Sequence, residues 1–137
     1  MILEPQLNGI PVPRPSGDSL PYWHGAARGE LLFQRCPGCG AANFGPGVSC
    51  RECRSGGLVW ERSVGAGAVY SWTVVWRPQT PAFAVPYAPA IVRLDEGYDM
   101  VSALVGLEPE AVEAGLRVTV RFHRLTDEIH LPFFGPA

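Results

Sequence analysis

Four cysteines in two close pairs are the residues of this chain whose types and spacing most clearly indicate chemistry. Cys36 and Cys39 form one C-x2-C pair, Cys50 and Cys53 form the other, and the sequence contains no further cysteine. A C-x2-C turn presents two thiolates to one side of a metal ion, so two such turns can complete a tetrahedral four-thiolate site. The alternatives are two disulfides or four unrelated thiols, and the symmetric spacing favours a metal over both.

The expected metal is zinc in a structural role. A closed four-thiolate site leaves no open coordination position, so it stabilises a fold rather than binding a substrate. Iron is the competing metal, because ligand type alone does not separate it from zinc in rubredoxin-like knuckles. If all four thiols bind metal, none is left to act as a catalytic nucleophile.

No other group of residues indicates catalysis. The sequence has no G-x-S-x-G nucleophile elbow, no phosphate-cradling glycine-rich loop and no H-E-x-x-H motif. Asp127, Glu128 and His130 are close in sequence and could form an acid–base group, but a polar turn is the favoured interpretation. We therefore predict no catalytic residue and a protein that does not act as a catalyst on its own.

The composition is that of a globular protein, and it weighs against some partners. The 137 residues are 47% hydrophobic and 18% charged, with 16 glycines and 14 prolines that favour short strands and turns. A net charge of −2 and a pI of about 5.9 provide little attraction to phosphates, so a nucleic-acid partner is disfavoured. No apolar run suits a membrane span or an export signal, so we expect a cytoplasmic protein with reduced thiols.

The segments that must position the cysteines are predicted to be a short helix and a zinc ribbon. Residues 1–18 contain many prolines and are expected to form an extended arm. Within 19–63, a helix begins at Ser19, and strands at 30–35 and 58–62 flank the two cysteine pairs. We expect a very small core in this ribbon, so the metal must supply much of its folding free energy. Its predicted members are Leu32, Phe44, Leu58 and Trp60.

Residues 64–137 are predicted to form a small Greek-key β-barrel of the OB type, which makes the fold class mainly β. Alternating apolar and polar residues indicate the strands, and a short helix is expected to open at Glu108-Pro109 before the last main strand. The predicted strands are 68–77, 90–95, 98–105, 117–124 and a last short one near 129–131.

The connection from Pro78 to Pro89 is long, rich in proline and without charge, so it is poorly suited to face water alone. It either folds back on the barrel or provides a contact surface for a protein partner or an acyl ligand. For Trp72 and Trp76, which lie in the preceding predicted strand, burial in the core is the alternative to such a contact. The candidate contact residues are Trp72, Trp76, Arg77, Phe83 and Tyr87.

Over about residues 20–134 the chain resembles one known family, on motifs that include the cysteine pairs and a glycine-rich strand opening after them. The family comprises OB-fold proteins with a rubredoxin-like zinc ribbon, long classified as domain-of-unknown-function family thirty-five. The resemblance implies a helix, a ribbon and a barrel in that order. It is carried by Tyr22, Trp23, Gly29, Glu30, Leu31, Arg35, the four cysteines, Gly40, Gly65, Gly67, Val69, Tyr70, Ser71, Thr73, Pro86, Tyr87, Leu94, Asp95, Gly115, Val118 and Phe122.

The resemblance also implies a function, because such proteins accompany thiolase-like enzymes or acyl-CoA hydratases. The leading hypothesis is a non-catalytic partner subunit in a hetero-oligomer, which helps to assemble the complex and its acyl-CoA site. A lipid-transfer-type aldolase of steroid side-chain degradation is one setting that the resemblance implies. Two alternatives remain: a protein that itself binds coenzyme A esters, and a binder of single-stranded nucleic acid.

Overall fold

A short α-helix, a small sheet that carries the cysteines and a closed five-stranded barrel follow one another along the chain, as the sequence predicted. The computed structural model describes residues 1–137. A short 3-10 helix, Pro109–Ala111, precedes the last two strands. The elements are α1 Leu20–Ala27, β1 Leu32–Arg35, β2 Ala42–Asn43, β3 Val59–Arg62, β4 Ala66–Trp72, β5 Ala88–Leu94, β6 Asp99–Leu104, β7 Arg117–Arg124 and β8 His130–Pro136.

Helix α1 begins where the sequence predicted, but its start is stabilised differently. Ser19 is at the N-cap position, yet its hydroxyl makes no cap hydrogen bond to the helix. It accepts a hydrogen bond from the backbone N–H of Ser16 at 2.8 Å and so closes the turn before the helix. Gly29 then adopts a φ of 80°, a left-handed conformation that suits glycine and ends the helix.

The ribbon is a three-stranded antiparallel sheet in the order β2-β1-β3. Arg35, the last residue of β1, pairs with Ala42 of β2 on one side and Val59 of β3 on the other. Strand β1 therefore leads directly into the first cysteine turn. The second cysteine turn lies between β2 and β3, the two strands that flank β1.

The barrel closes in the order β4-β5-β6-β8-β7, with β7 pairing back to β4. Its pairs are antiparallel except for β6 with β8, where Leu104 lies opposite Phe134 in a parallel pair. Val118 of β7 is fully buried, and Val120 and Phe122 are partly buried against the core, which fits the predicted inward face. Closure removes the exposed strand edges that an open sheet would present.

Strand β4 ends at Trp72, five residues earlier than predicted. The pairing with β5 shifts between Val69 and Ser71, and Pro89 accepts the next backbone hydrogen bond from Thr73 at 3.1 Å. Because proline has no N–H, Pro89 cannot donate to the neighbouring strand, and regular pairing stops there. Beyond this point the segments that continue β4 and precede β5 pair only through an isolated bridge between Val75 and Tyr87.

One hydrophobic core serves the ribbon, the helix and the barrel. Leu31 and Phe33 of the ribbon lie in the same buried cluster as the barrel residues Val92, Leu94 and Phe134. The four residues predicted for a separate ribbon core are only partly buried. The prediction chose the wrong face of β1: residues 31 and 33 point to the barrel, and residue 32 points away from it.

An aromatic stack and an acidic side chain fix the ribbon on the barrel. Tyr98 stacks on Phe33 with ring centroids 5.0 Å apart and on Phe44 at 5.4 Å. Glu96 accepts hydrogen bonds from the Ser63 hydroxyl at 2.7 Å and from the Val64 backbone N–H at 2.8 Å. The junction between the two units is therefore held by packing and by charge-assisted hydrogen bonds.

The N-terminal arm is better anchored than its proline content suggested. Leu3 is only 1% exposed, and its backbone exchanges two 2.8 Å hydrogen bonds with Gly106 and Leu107. Gln6 binds the backbone of Ala84 with both ends of its amide. Leu3 thus anchors the start of the arm on the barrel, and Gln6 supports the proline-rich connection.

Gly67 in β4 leads to a test of this packing. A Cβ atom there would overlap the carbonyl oxygen of Arg93 on β5, and backbone cannot move aside easily. We expect Gly67→Ala to lower the free energy of unfolding by about 1–3 kcal/mol, as overpacking does. The matched control is Gly17→Ala, because that glycine has open space and ordinary φ. Urea denaturation measures both, and equal stability of the two variants would contradict the packing.

Candidate metal centre and adjoining groove

The four cysteine sulfurs converge at one end of the ribbon. One ligand atom from each cysteine lies within 4.8 Å of the others, and Cys36 and Cys50 are buried while Cys39 and Cys53 are exposed. The Sγ atoms of Cys36 and Cys53 are 3.5 Å apart, and those of Cys39 and Cys50 are 3.7 Å apart. Tetrahedral zinc with Zn–S bonds of about 2.3 Å places its sulfurs about 3.8 Å apart, so the cluster fits zinc.

The two cysteine turns share one backbone geometry. Gly40 donates a 2.9 Å hydrogen bond to the carbonyl of Cys36, and Arg54 does the same to Cys50. Both donors have positive φ, 77° for Gly40 and 65° for Arg54. In each turn, a residue in the left-handed conformation four positions after that turn's first cysteine lets the turn close. This conformation is sterically unfavourable for Arg54 but not for Gly40.

Hydrogen bonds to sulfur favour the thiolate form at Cys50. The backbone N–H of Cys53 and the Asn43 amide lower the pKa of Cys50 to about 6. Asn43 donates from Nδ2 to the Cys50 sulfur at 3.5 Å, and the Glu52 backbone N–H donates to it at 3.3 Å. A thiolate is the form that binds metal, so these donors prepare the ligand.

The proximity of the four sulfurs opposes deprotonation of all four thiols. The backbone N–H of Ala41 favours the thiolate at Cys39, but the hydrogen bond with Cys53, together with burial, raises the pKa of Cys39 to about 12. Hydrogen bonds with neighbouring cysteine sulfurs thus favour the protonated thiol at Cys39. A divalent cation removes this conflict, because its charge stabilises all four ligands in the deprotonated form.

Asn43 is a supporting residue that the sequence analysis missed. It is buried, and besides its bond to the Cys50 sulfur it accepts a 3.0 Å hydrogen bond from the backbone N–H of Arg51 at Oδ1. It therefore links β2 to the second cysteine turn. Metal ligands are generally oriented by such neighbours, but an asparagine in a two-residue strand gives no distinctive sequence pattern.

An apolar groove of about 520 Å³ lies beside the metal centre, and the sequence analysis did not predict it. Its walls come from α1, from the ribbon and from the outer side of β6 and β8. Eleven of its 18 lining residues are hydrophobic. The walls include Trp23, Phe44, Trp60, Ala103 and Leu131.

The predicted contact residues divide into an exposed and a packed group. Trp72 is 36% exposed and Trp76 is 58% exposed, so neither is a core residue, and Arg77 is exposed without an ion pair. Phe83 and Tyr87 instead stack on each other with centroids 5.4 Å apart. Tyr87 is only 9% exposed, and its hydroxyl donates to Gln79 at 2.7 Å, so it supports the connection from within.

Asp127 and Glu128 lie in the turn between β7 and β8, and His130 is the first residue of β8. Asp127 forms an ion pair with Arg124 in the turn between β7 and β8. Glu128 is exposed, and its backbone N–H donates to the Thr126 hydroxyl at 3.3 Å, as in an ordinary polar turn.

No helix of the structure combines the length and the apolar character that crossing a membrane requires.

The four-cysteine ribbon and the closed barrel define a class: OB-fold proteins with a rubredoxin-like zinc ribbon. Residues 23–59 match the rubredoxin-like zinc ribbon domain of ChsH2, and residues 60–123 match the C-terminal OB-fold domain of ChsH2. The chain belongs to this ChsH2-type family, which carries the DUF35 domain. Its predicted cofactor, structural zinc, agrees with the matched domain and with the sulfur geometry.

Two of the relatives are hydratase alpha subunits that are much longer than this chain. It is 36% identical to a probable enoyl-CoA hydratase alpha subunit of Thermomonospora curvata, over 91% of this chain and 40% of that protein. It is 31% identical to the 3-oxo-4,17-pregnadiene-20-carboxyl-CoA hydratase alpha subunit of Mycobacterium tuberculosis, over 80% of this chain and 35% of that one. The chain thus spans well under half of both hydratase subunits.

Two further relatives are matched over most of their length. A DUF35 domain-containing scaffold protein of Methanothermobacter thermautotrophicus is 33% identical, over 77% of this chain and 80% of that protein. The solved structure of the Ltp2-ChsH2(DUF35) aldolase contains a chain that superposes with a TM-score of 0.82 at 34% identity. That match covers 91% of this chain and 98% of the other.

Replacing one ligand tests the metal centre. We expect Cys39→Ser to reduce the zinc content from about one ion per chain to almost none, because a structural site needs all four thiolates. The denaturation midpoint should fall for the whole chain, since ribbon and barrel share one core. Elemental analysis and urea denaturation provide the measurements, with Ser49→Ala as control. A red protein with stoichiometric iron would overturn the assignment to zinc.

Asn43 provides a finer test of the same site. Asn43→Asp keeps an acceptor for Arg51 but removes the donor to the Cys50 sulfur and adds a negative charge. We expect zinc affinity, measured by competition with a chelator, to fall about 10- to 100-fold, as for other neighbours of metal ligands. The control is Asn8→Asp, the same change at an exposed position. Unchanged affinity would show that Asn43 does not support the ligand.

Proposed function

We propose that this protein is an accessory subunit of a thiolase-fold enzyme that acts on acyl-CoA substrates. The observation that carries the proposal is the superposition on nearly the whole of one chain of the Ltp2-ChsH2 aldolase, at a TM-score of 0.82. An archaeal relative described as a scaffold protein supports the same role. The chain helps to assemble the complex and its acyl-CoA site, and catalysis belongs to the partner.

The proposed reaction setting is the degradation of steroid side chains by an aldolase. Support comes from the aldolase complex and from the relative that is a hydratase subunit for a pregnadiene carboxyl-CoA. The metal site of this chain fits a supporting role, because a site that uses all four thiols as ligands leaves none for catalysis. The complex is expected in the cytoplasm, where thiolate ligands stay reduced.

The exposed part of the predicted contact set is the proposed partner surface. Trp76 and Arg77 lie side by side, exposed and without partners within the chain, at the start of the proline-rich connection. Phe83 and Tyr87 stiffen this connection through their stack, and Trp72 extends the surface onto the barrel. Tryptophan and arginine are enriched among the residues that dominate binding energy at interfaces.

Binding of single-stranded nucleic acid finds little support in the charge distribution. Six of the eleven arginines pair with carboxylates: Arg28, Arg35, Arg62, Arg93, Arg117 and Arg124. On the barrel, Arg93 lies over the Tyr70 ring, 4.2 Å from its centroid, while it also binds Asp99. An aromatic ring already covered by a paired arginine is a poor stacking platform for a base.

Co-expression with the thiolase-fold enzyme encoded nearest to this gene tests the proposal. We expect the two proteins to co-purify as a stable hetero-oligomer, and Trp76→Ala to weaken the complex at least about tenfold, as loss of an interface hot spot does. Tyr70→Ala is the matched control, because Tyr70 is a similarly exposed aromatic residue that is already paired with Arg93. A chain that remains monodisperse beside its enzyme would refute the proposed function.

A further inference from the structure

We infer that segment 10–15 of the N-terminal arm is a preformed proline-rich ligand that binds an aromatic-lined groove on the partner enzyme. The segment has the sequence Ile-Pro-Val-Pro-Arg-Pro and lies between the anchored start of the arm and helix α1. The inference rests on the proposed function for the identity of the partner. It adds a contact of different chemistry to the surface that carries Trp76 and Arg77.

The sequence of segment 10–15 restricts its conformation. Every second residue is proline, at positions 11, 13 and 15. Proline fixes its own φ at about −65°, and the residue before a proline is confined to extended or polyproline II conformations. All six residues are therefore restricted to an extended backbone before any partner binds. A segment that is already ordered loses little conformational entropy on binding.

Burial along the segment repeats every three residues, which is the period of a polyproline II helix. Ile10 and Pro13, three positions apart, are half-buried. Val12 has 49% of its surface exposed. One face of the segment thus rests on the chain while the other faces point to solvent. The exposed residues are Pro11, Val12, Arg14 and Pro15.

The backbone of segment 10–15 makes no hydrogen bond to the rest of the chain. Its carbonyl oxygens are therefore free to accept hydrogen bonds from a partner. The residues on either side are fixed: Gln6 accepts a 3.0 Å hydrogen bond from the Ala84 backbone, and the Ser16 N–H donates to the Ser19 hydroxyl at 2.8 Å. The segment is thus held at both ends and presents its exposed faces together.

Arg14 adds one charge to a segment that is otherwise neutral. It is the only charged residue between Glu4 and Asp18, it is exposed, and it takes part in none of the arginine ion pairs of the chain. A guanidinium binds a carboxylate in bidentate geometry, and polyproline II segments dock against aromatic rings. We therefore expect a partner groove that is lined by aromatic side chains and has an acidic residue where Arg14 lies.

The position of the segment favours the partner enzyme as the occupant. Residues 4–8 of the arm and residues of the proline-rich connection line one depression of about 520 Å³, where Gln6 also donates to the Ala84 carbonyl. The arm therefore continues the surface that begins at Trp76 and Arg77. Six residues in polyproline II conformation extend roughly 18 Å, at about 3.1 Å per residue. The segment can thus enlarge the contact with the same enzyme.

The affinity of the full chain for its co-purifying enzyme, measured by calorimetry, tests the charge of the segment. We expect Arg14→Glu to weaken the complex about tenfold or more, because it places like charges opposite each other at the interface. Arg14→Gln should weaken it only about two- to fivefold, as for loss of an exposed ion pair. Arg124→Glu is the matched control, since Arg124 is an exposed arginine in the turn between β7 and β8.

The prolines are tested separately from the charge. The double variant Pro11→Ala and Pro15→Ala keeps Arg14 but allows other backbone conformations at two exposed positions. We expect the affinity to fall about three- to tenfold, because the segment must then be ordered on binding. Circular dichroism and zinc content should be unchanged, since neither proline lies in the core. An unchanged affinity would overturn recognition of a preformed polyproline II ligand.

The same complex separates this inference from the proposed function. If Trp76→Ala weakens the complex while Arg14→Glu and the double proline variant bind normally, the segment is not a ligand and the subunit role stands. If no enzyme co-purifies, the proposed function fails and this inference fails with it.

Self-association is the other outcome to be distinguished. If the isolated chain forms dimers that Arg14→Glu converts to monomers, the segment binds a second copy of the chain, which overturns the inference. An enzyme affinity that falls in Arg14→Glu and in the double proline variant, but not in Arg124→Glu, supports it.

Discussion

The convergence of four thiolates at the end of one short strand is the constraint on which the ribbon depends. Four negative sulfurs held within 4.8 Å repel one another, and only a cation makes the arrangement favourable. Because β1 leads directly into the first cysteine turn, the metal also fixes the end of this strand. The position of Phe33 within β1, and its stack on Tyr98, follow from that anchor.

The ribbon is consequently a wall of the protein rather than a separate arm. Leu31 and Phe33 complete the core of the barrel, and Glu96 holds the chain where ribbon and barrel meet. This shared packing keeps Phe44 and Trp60 at a fixed distance from β6 and β8, and the space left between them is the apolar groove. The structural metal thereby holds one side of the groove in place.

Two surfaces of the chain have different chemistry. The connection after β4 presents Trp76 and Arg77 to solvent on a base stiffened by Phe83 and Tyr87, a combination that suits a protein interface. The groove beside the metal has apolar walls, and its polar side chains, such as Gln34, are already hydrogen-bonded within the chain.

The sequence by itself determined the metal ligands, the fold class and the order of helix, ribbon and barrel, because spacing and alternation are local patterns. Cys36 and Cys39 indicate a metal turn wherever the chain places them, and Val118 marks its strand face in the same way. Only the tertiary structure decided which face of β1 meets the barrel, that Pro89 ends regular pairing with β4, and that Asn43 supports a ligand. The groove could likewise be found only in the tertiary structure, since its walls come from segments far apart in sequence. No local sequence pattern indicates which distant side chains will meet.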